Sequence, residues 1–326
     1  MTRWYNAPLQ LHRRWKQSKL HLNKRQIDNG RYSILDQIGQ GASGIVHLAV
    51  ATKTNKKFAI KEMNKSRLQR RYHQSQLINN RKPLYPESKK RKLEDVVELQ
   101  IEEIEILKQL PAHLNIIRFI EVIDNDPDNE DSIFIVTEIA ENGIIMDVTP
   151  HAVTKPLSEG QCREIFSQLV DAVEHLHLNH IVHRDIKPQN LVMSNNNTVK
   201  LIDFGNATCI TADTLSSTSS SVGSPAFMAP ELLKRAARRN QEHNVSPTCA
   251  DLWSMGVTLY CIVYGHLPFE KASLMDLYSD IQNKAIDHSD KVDPSLRDLI
   301  DRLLEKNPQN RITIQDVKTH SWLQKQ

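Results

Sequence analysis

Three glycines constrain this chain more than any other feature of it. Gly39, Gly41 and Gly44 are spaced G-x-G-x-x-G, with a β-rich run on each side, Tyr32–Ile38 before and Gly44–Ala51 after. A dinucleotide-binding turn needs a helix after the glycines and an acidic residue about 20 positions further on. Here a second strand follows, and Lys61, in a third β-rich run at Lys57–Glu62, stands near that distance. Glycines without side chains let backbone N–H groups approach phosphates, and a lysine on a neighbouring strand can neutralise them. The pattern therefore points to a phosphate-binding hairpin in an antiparallel sheet and argues against a doubly wound nucleotide fold.

Beyond this point the apolar period changes. Leu93–Leu110 is long, rich in Glu, Leu and Ile, and free of glycine and proline, which predicts a helix. Ile116–Val122 and Ser132–Glu138 read as two more strands, divided by the polar loop DNDPDNED. From Ser158 onward helical spacing takes over. Ser158 and Gln161 form a capping box, and Cys162, Ile165, Phe166, Leu169, Val173 and Leu176 form one apolar stripe. The expected fold class is α+β: a small antiparallel β-sheet lobe with one main helix, followed by a larger, mainly helical lobe.

The charge distribution sets the boundaries. The 326 residues carry a net charge of +3, yet residues 1–25 hold seven basic and no acidic residues, and residues 63–92 hold ten basic residues against Glu87 alone. The remainder is therefore acidic overall, and the two basic runs read as solvated segments on an acidic body. The expected organisation is a basic tail at 1–30, a small lobe at 31–140 with a basic insert at 64–92, and a larger lobe at 141–326. The near-balance of charge argues against a nucleic-acid coat. The longest strongly apolar run, Gly256–Gly265, is well short of the ~20 residues that cross a bilayer, so integral membrane association is not expected. The N-terminus shows no secretory signal and the four cysteines form no C-x-x-C pair, which argues against a secreted or zinc-dependent protein.

Chemistry enters with three motifs in the second half. His183-Arg184-Asp185-Ile186-Lys187-Pro188-Gln189-Asn190 comes first, then Asp203-Phe204-Gly205, then Ala229-Pro230-Glu231. In this order, after a glycine turn and a lysine strand, they make residues 32–325 resemble the eukaryotic protein kinases. That resemblance implies phosphoryl transfer from ATP with Mg²⁺, for which Mn²⁺ could substitute. Catalysis of this kind is mostly positioning and electrostatic neutralisation.

The resemblance also assigns roles. Lys61 would hold the α/β-phosphates and pair with Glu103, which meets the family spacing through Ile106 and Leu107; Glu102 is the competitor. Asp185 would accept or orient the proton of the substrate hydroxyl, Lys187 would steady the γ-phosphate, and Asn190 and Asp203 would hold the metal. Ile38, Gly39, Gly41, Gly44, Val46, Ala59 and Val192 would surround the nucleotide, with Thr137 at the back of the adenine slot. Backbone groups of Glu138 and Ala140 would bond the base edge. Leu107, Phe119, His183 and Phe204 match a packing stack, Glu231 and Arg311 a buried pair, and Asp251 a support beneath the catalytic loop. The alternative is a catalytically silent scaffold on the same fold, but such proteins usually lose one of these charged residues, and all are present here.

Lys187, and Ser224 ahead of the Ala-Pro-Glu motif, resemble the serine/threonine kinases. VGSPAFMAPE, MGVTLYC, EIEILKQL and PLSEGQ look like the calcium/calmodulin-dependent protein kinase kinases and their fungal relatives, upstream activators of AMP-activated kinase. That group also carries a basic, proline-containing insert where residues 64–92 lie. The resemblance implies another protein kinase as substrate, with the insert as a docking segment. Ile144 and Gln189 stand where arginine-selecting kinases place glutamates, so arginine has no bidentate carboxylate partner there. Calmodulin is a candidate partner of the basic, Leu- and Trp-bearing stretch Leu11–Ile27. A calmodulin-binding stretch after the catalytic domain finds no support in a sequence given to Gln326. Location is expected to be cytoplasmic, with a nuclear alternative from Lys89–Lys92. Ten Ser/Thr residues between Gly205 and Ala229 make phosphorylation of that segment an expectation without selecting a residue.

Overall fold

The computed structural model describes residues 25–41, 44–66, 98–124, 126–127, 130–210, 223–237, 246–288 and 291–325, with side chains left out at 98–102 and 234–237. The N-terminal tail to residue 24, residues 67–92 of the basic insert and the Ser/Thr positions from Thr211 to Ser221 lie outside the described residues. Contacts divide the chain into two units. Described residues of Asn6–Gln109 join Ile117–Ile139 in one, and Leu110–Ile116 joins Ala140–Gln326 in the other.

The first unit is built on an antiparallel sheet. Its strands are β1 (Gln26–Ile27), β2 (Tyr32–Gly41), β3 (Gly44–Ala51), β4 (Lys57–Asn64), β5 (Phe119–Ile123) and β6 (Ser132–Glu138), in the order β1-β2-β3-β4-β6-β5. Helix α1 (Glu98–Gln109) belongs to the same unit. Alternation along β4 explains how the sheet sorts its residues: Phe58 and Ile60 are buried on one face, which puts Ala59 and Lys61 on the other. Phe58 and Ile60 join Ile27, Tyr32, Ala49, Ile123, Phe134 and Val136 in one apolar cluster, with Tyr32 edge-on to Phe58 at 5.6 Å. Ile27, in β1, falls within the expected basic tail, yet it is only 1% exposed.

The second unit opens with α2 (Glu159–Leu178), whose first turn carries the capping box: Ser158 Oγ accepts from the Gln161 N–H while the Gln161 amide oxygen accepts from the Ser158 N–H. All six residues of the expected stripe are buried, each burial contributing at most about 1.5–3 kcal/mol. Two short sheets follow, β7 (Ile181–Val182) with β10 (Thr208–Cys209) and β8 (Leu191–Met193) with β9 (Val199–Leu201). The rest is helical: α3 (Pro230–Ala237), α4 (Thr248–Tyr264), α5 (Leu274–Asn283), α6 (Pro294–Leu303), α7 (Ile314–Thr319) and α8 (Ser321–Gln324). Helix α4 is apolar almost all round because it is the buried axis of this unit. No helix among the described residues is long and apolar enough to cross a membrane.

Leu110–Ile116 joins the helical unit through polar bonds. Asn115 Nδ2 donates to Val199 O and to Gln168 Oε1 at 2.9 and 2.8 Å, and Lys200 Nζ donates to Leu114 O. Ile116 bridges to Leu201, so β5 starts three residues later than its apolar pattern suggests.

Candidate active site

In the sheet unit, strand register places the nucleotide-type residues in rows. Gly39 is opposite Val46, Val46 opposite Lys61, and Gly41 opposite Gly44. Ala59 is opposite Thr137, whose hydroxyl donates to Ala59 O at 3.4 Å. Gly44 is required by contact: a Cβ there would lie 2.3 Å from Glu62 O. Ala42 and Ser43 at the tip lie outside the described residues. Lys61 Nζ donates to both carboxylate oxygens of Glu103, at 2.8 and 3.1 Å, and Glu103 is 4% exposed. Leu107 is buried on the same helix, and the Glu102 side chain is outside the description. Glu138 commits its N–H to Arg118 O.

In the helical unit the His183–Asn190 run forms a loop held from below by one carboxylate. Asp251, fully buried on α4, accepts from the backbone N–H groups of His183 and Arg184, each at 2.9 Å, and pairs with His177 Nε2 at 2.9 Å. Burial alone would raise the Asp251 pKa, but the His177 hydrogen bond, the nearby imidazoles and the Arg184 N–H outweigh it and hold it below the ordinary value. Arg184 and Asp203 have positive φ values of 67° and 62°. A non-glycine residue held in that region is strained, and such strain persists only where surrounding structure over-determines it.

Asp185 lies at the centre of a hydrogen-bond knot. Lys187 Nζ donates to Asp185 Oδ2 at 2.7 Å and to Ser224 Oγ at 2.9 Å, and the Ser224 hydroxyl donates to Asp185 Oδ1 at 2.9 Å. Asn190 Nδ2 donates to Asp185 O and Oδ2, which leaves the amide oxygen as the atom Asn190 can offer a cation. That oxygen and the Asp203 carboxylate are hard donors, the type that suits a hard divalent cation. Ile202, next to Asp203, donates its N–H to Asn190 O, and the His183 and Phe204 rings meet in a T-shaped contact at 5.1 Å between centres. His183 is fully buried with Nε2 on Ile202 O, the setting of a packing residue. Val192 is buried on β8, and Ala140 accepts from the Gly143 N–H.

Ser224 follows Gly223, which has φ 116° and a Cβ position only 2.7 Å from Arg184 O, so the serine is delivered by a turn that only glycine fits. Further on, Arg311 forms a two-pronged pair with Glu231 at 2.8 and 2.9 Å and also donates to Cys249 O and Glu305 O. Gln189 turns its amide nitrogen to Val148 O and presents no carboxylate, and Ile144 is exposed. His177 belongs to no motif in the sequence; only the fold shows that it shares Asp251 with the His183–Asn190 loop.

A family model described as the protein kinase domain matches residues 32–323. A calcium/calmodulin-dependent protein kinase kinase of Emericella nidulans is 35% identical over 90% of this chain and 58% of its own length. One of Caenorhabditis elegans is 34% identical over 91% of this chain and 53% of its own length. A serine/threonine-protein kinase of Schizosaccharomyces pombe, ppk34, is 34% identical over 90% of this chain and 83% of its own. The chain thus spans little more than half the length of the two kinase kinases it matches. These similarities group it with serine/threonine kinases, a family that uses ATP and a divalent metal, and the chain belongs to the protein kinase family.

Proposed function

We propose that this chain transfers the γ-phosphate of Mg·ATP to a serine or threonine in the activation loop of another protein kinase. The observation that carries the transfer chemistry is the Asp185–Lys187–Ser224–Asn190 knot, which pre-sets a carboxylate and an ammonium before any substrate arrives. Asp185 orients the acceptor hydroxyl and receives its proton. Lys187 neutralises charge on the transferred group. Asn190 and Asp203 would hold Mg²⁺, with Mn²⁺ as a substitute, and the metal would supply charge neutralisation at the phosphates. In the sheet unit Lys61, fixed by Glu103, takes the α/β-phosphates, the backbone of Gly39, Gly41 and Gly44 approaches them, and Ile38, Val46, Ala59 and Thr137 take the apolar part of the nucleotide. Glu138, Ala140 and Val192 serve the base.

The kinase-directed specificity is supported by similarity to two calcium/calmodulin-dependent protein kinase kinases and by Gln189 and Ile144, which give an upstream arginine no carboxylate to bind. We place residues 64–92 as a docking segment for the substrate kinase. The test compares phosphate incorporation into a folded, catalytically dead AMP-activated-kinase-type domain with that into an arginine-rich peptide, beside an Asp203→Asn control. Incorporation at the activation-loop threonine, weak on the peptide and absent in the control, is expected. Labelling of the peptide but not the folded domain would retain the kinase and reject this substrate class.

A further inference from the structure

The family match begins at residue 32, but the first unit begins earlier. Strand β1 pairs with β2, and Ile34 donates its N–H to Arg25 O at 2.9 Å, so residues 25–27 are tied into the sheet ahead of the matched region. Arg25 reaches across it. Its Nη1 and Nη2 donate to Glu62 Oε2 and Oε1 at 2.8 and 2.7 Å, a fork geometry that fixes direction as well as distance. Its guanidinium lies 5.6 Å from the centre of the Phe134 ring. Glu62 also pairs with His47 Nε2 at 2.8 Å and accepts from Ser132 Oγ at 3.1 Å. Four separate stretches of chain therefore meet at one carboxylate.

That carboxylate is next to Lys61. Successive residues of a strand point to opposite faces, so Glu62 is anchored on one side of β4 while Lys61 projects from the other. Glu62 is also opposite Ile45, and its carbonyl is the atom against which Gly44 packs. A strand free to slide or twist at Glu62 would carry both the lysine and the stem of the glycine turn with it. We propose that Arg25, from outside the matched kinase domain, is a positioning residue for nucleotide binding: by clamping Glu62 it fixes the strand that aims Lys61. The inference rests on the proposed role of Lys61 as the phosphate-binding lysine.

The clamp stays charged at working pH. The His47 hydrogen bond, opposed by burial and helped by Arg25 and Ser132, lowers the Glu62 pKa to about 2. Misplacement of a phosphate-binding group by a fraction of an ångström to ~1 Å weakens its interaction steeply.

The test uses the full chain and the variants Arg25→Ala, Arg25→Lys, Glu62→Gln and the double Arg25→Ala/Glu62→Gln. Mg·ATP affinity is read by titration calorimetry, KM for ATP and kcat by phosphate incorporation, and folding by thermal unfolding. Arg25→Ala is expected to weaken ATP binding and raise KM about three- to tenfold, with a smaller change in kcat. Arg25→Lys, which keeps the charge and loses the fork, should fall between. The double variant should bind ATP no worse than the weaker single, because both act through one contact. Unchanged ATP affinity and KM in Arg25→Ala, with or without a lower unfolding temperature, would overturn the proposal, as would single effects that simply multiply. Wild-type protein that binds ATP without transferring phosphate would reject the proposed function, and the calorimetric comparison would still decide the role of Arg25. Wild-type protein that does not bind ATP would overturn both.

Discussion

The Lys61 ammonium is 2.8 Å and 3.1 Å from the two carboxylate oxygens of Glu103, 42 residues further along the chain. Both side chains are largely out of solvent, at 14% and 4% exposure. A pair in this setting adds little net stability, because desolvation offsets its attraction, but it fixes where the ammonium points. Its value here lies in direction.

Replacing Glu103 with Gln keeps the size and removes the charge that holds Lys61. Catalytic efficiency for phosphate transfer is expected to drop roughly 10- to 100-fold, seen in steady-state kinetics, while far-UV circular dichroism stays that of the wild type. An unchanged kcat/KM would show that Lys61 is aimed by something else.

The Glu231–Arg311 pair predicts a different outcome, a loss of stability. The Arg311 side chain is fully buried, and it keeps bonds to Cys249 O and Glu305 O when Glu231 is removed, but no counter-charge. Glu231→Ala should cost about 3–5 kcal/mol in urea unfolding. In a chain of this size that corresponds to a fall of about 4–7 °C in unfolding temperature.

Acid should unfold the sheet unit partly through Glu62. Its carboxyl binds a proton more weakly in the folded chain, near pH 2, than its ordinary value of 4.5. The stabilisation is therefore present above about pH 4.5 and is lost as pH falls from there through the folded value. Unfolding free energies measured from pH 5 to pH 2 should decline less steeply in Glu62→Gln than in the wild type.

Gly256 sets helix propensity against packing. On propensity alone, Gly256→Ala in the middle of α4 should stabilise by ~1 kcal/mol. The added Cβ, however, would lie 2.7 Å from Leu303 Cβ and 2.9 Å from Leu304 Cδ2. Overpacking of a buried helix contact costs typically ~1–3 kcal/mol, so a net loss is expected. A higher midpoint in denaturant would mean that α6 yields at little cost.

Local patterns in the sequence account for much of this. The ends of β3 and β6, the α2 capping box and the α2 stripe agree with the runs that alternation and helical spacing mark out. The glycine turn and the His183–Asn190 loop were legible because their residue types have few other uses in that order. What escaped depends on contacts with no sequence spacing to announce them. Arg25 and Ile27 are part of a basic run that reads as a solvated tail, yet one is paired with Glu62 and the other completes an apolar cluster. His177 looks like any helix residue until Asp251, 74 residues away, is brought against it. Ile116 continues an apolar run by composition, but Asn115 and Leu201 bind its neighbourhood to the helical unit.

The most direct measurement is phosphate transfer from labelled Mg·ATP to a folded protein substrate by wild type and Asp185→Asn, with ATP affinity determined on the same samples. The account predicts transfer by the wild type, a loss of at least about 100-fold in kcat for Asp185→Asn, and nearly equal ATP affinity for both. Wild-type protein that binds ATP and transfers nothing, or a variant as active as the wild type, would contradict it.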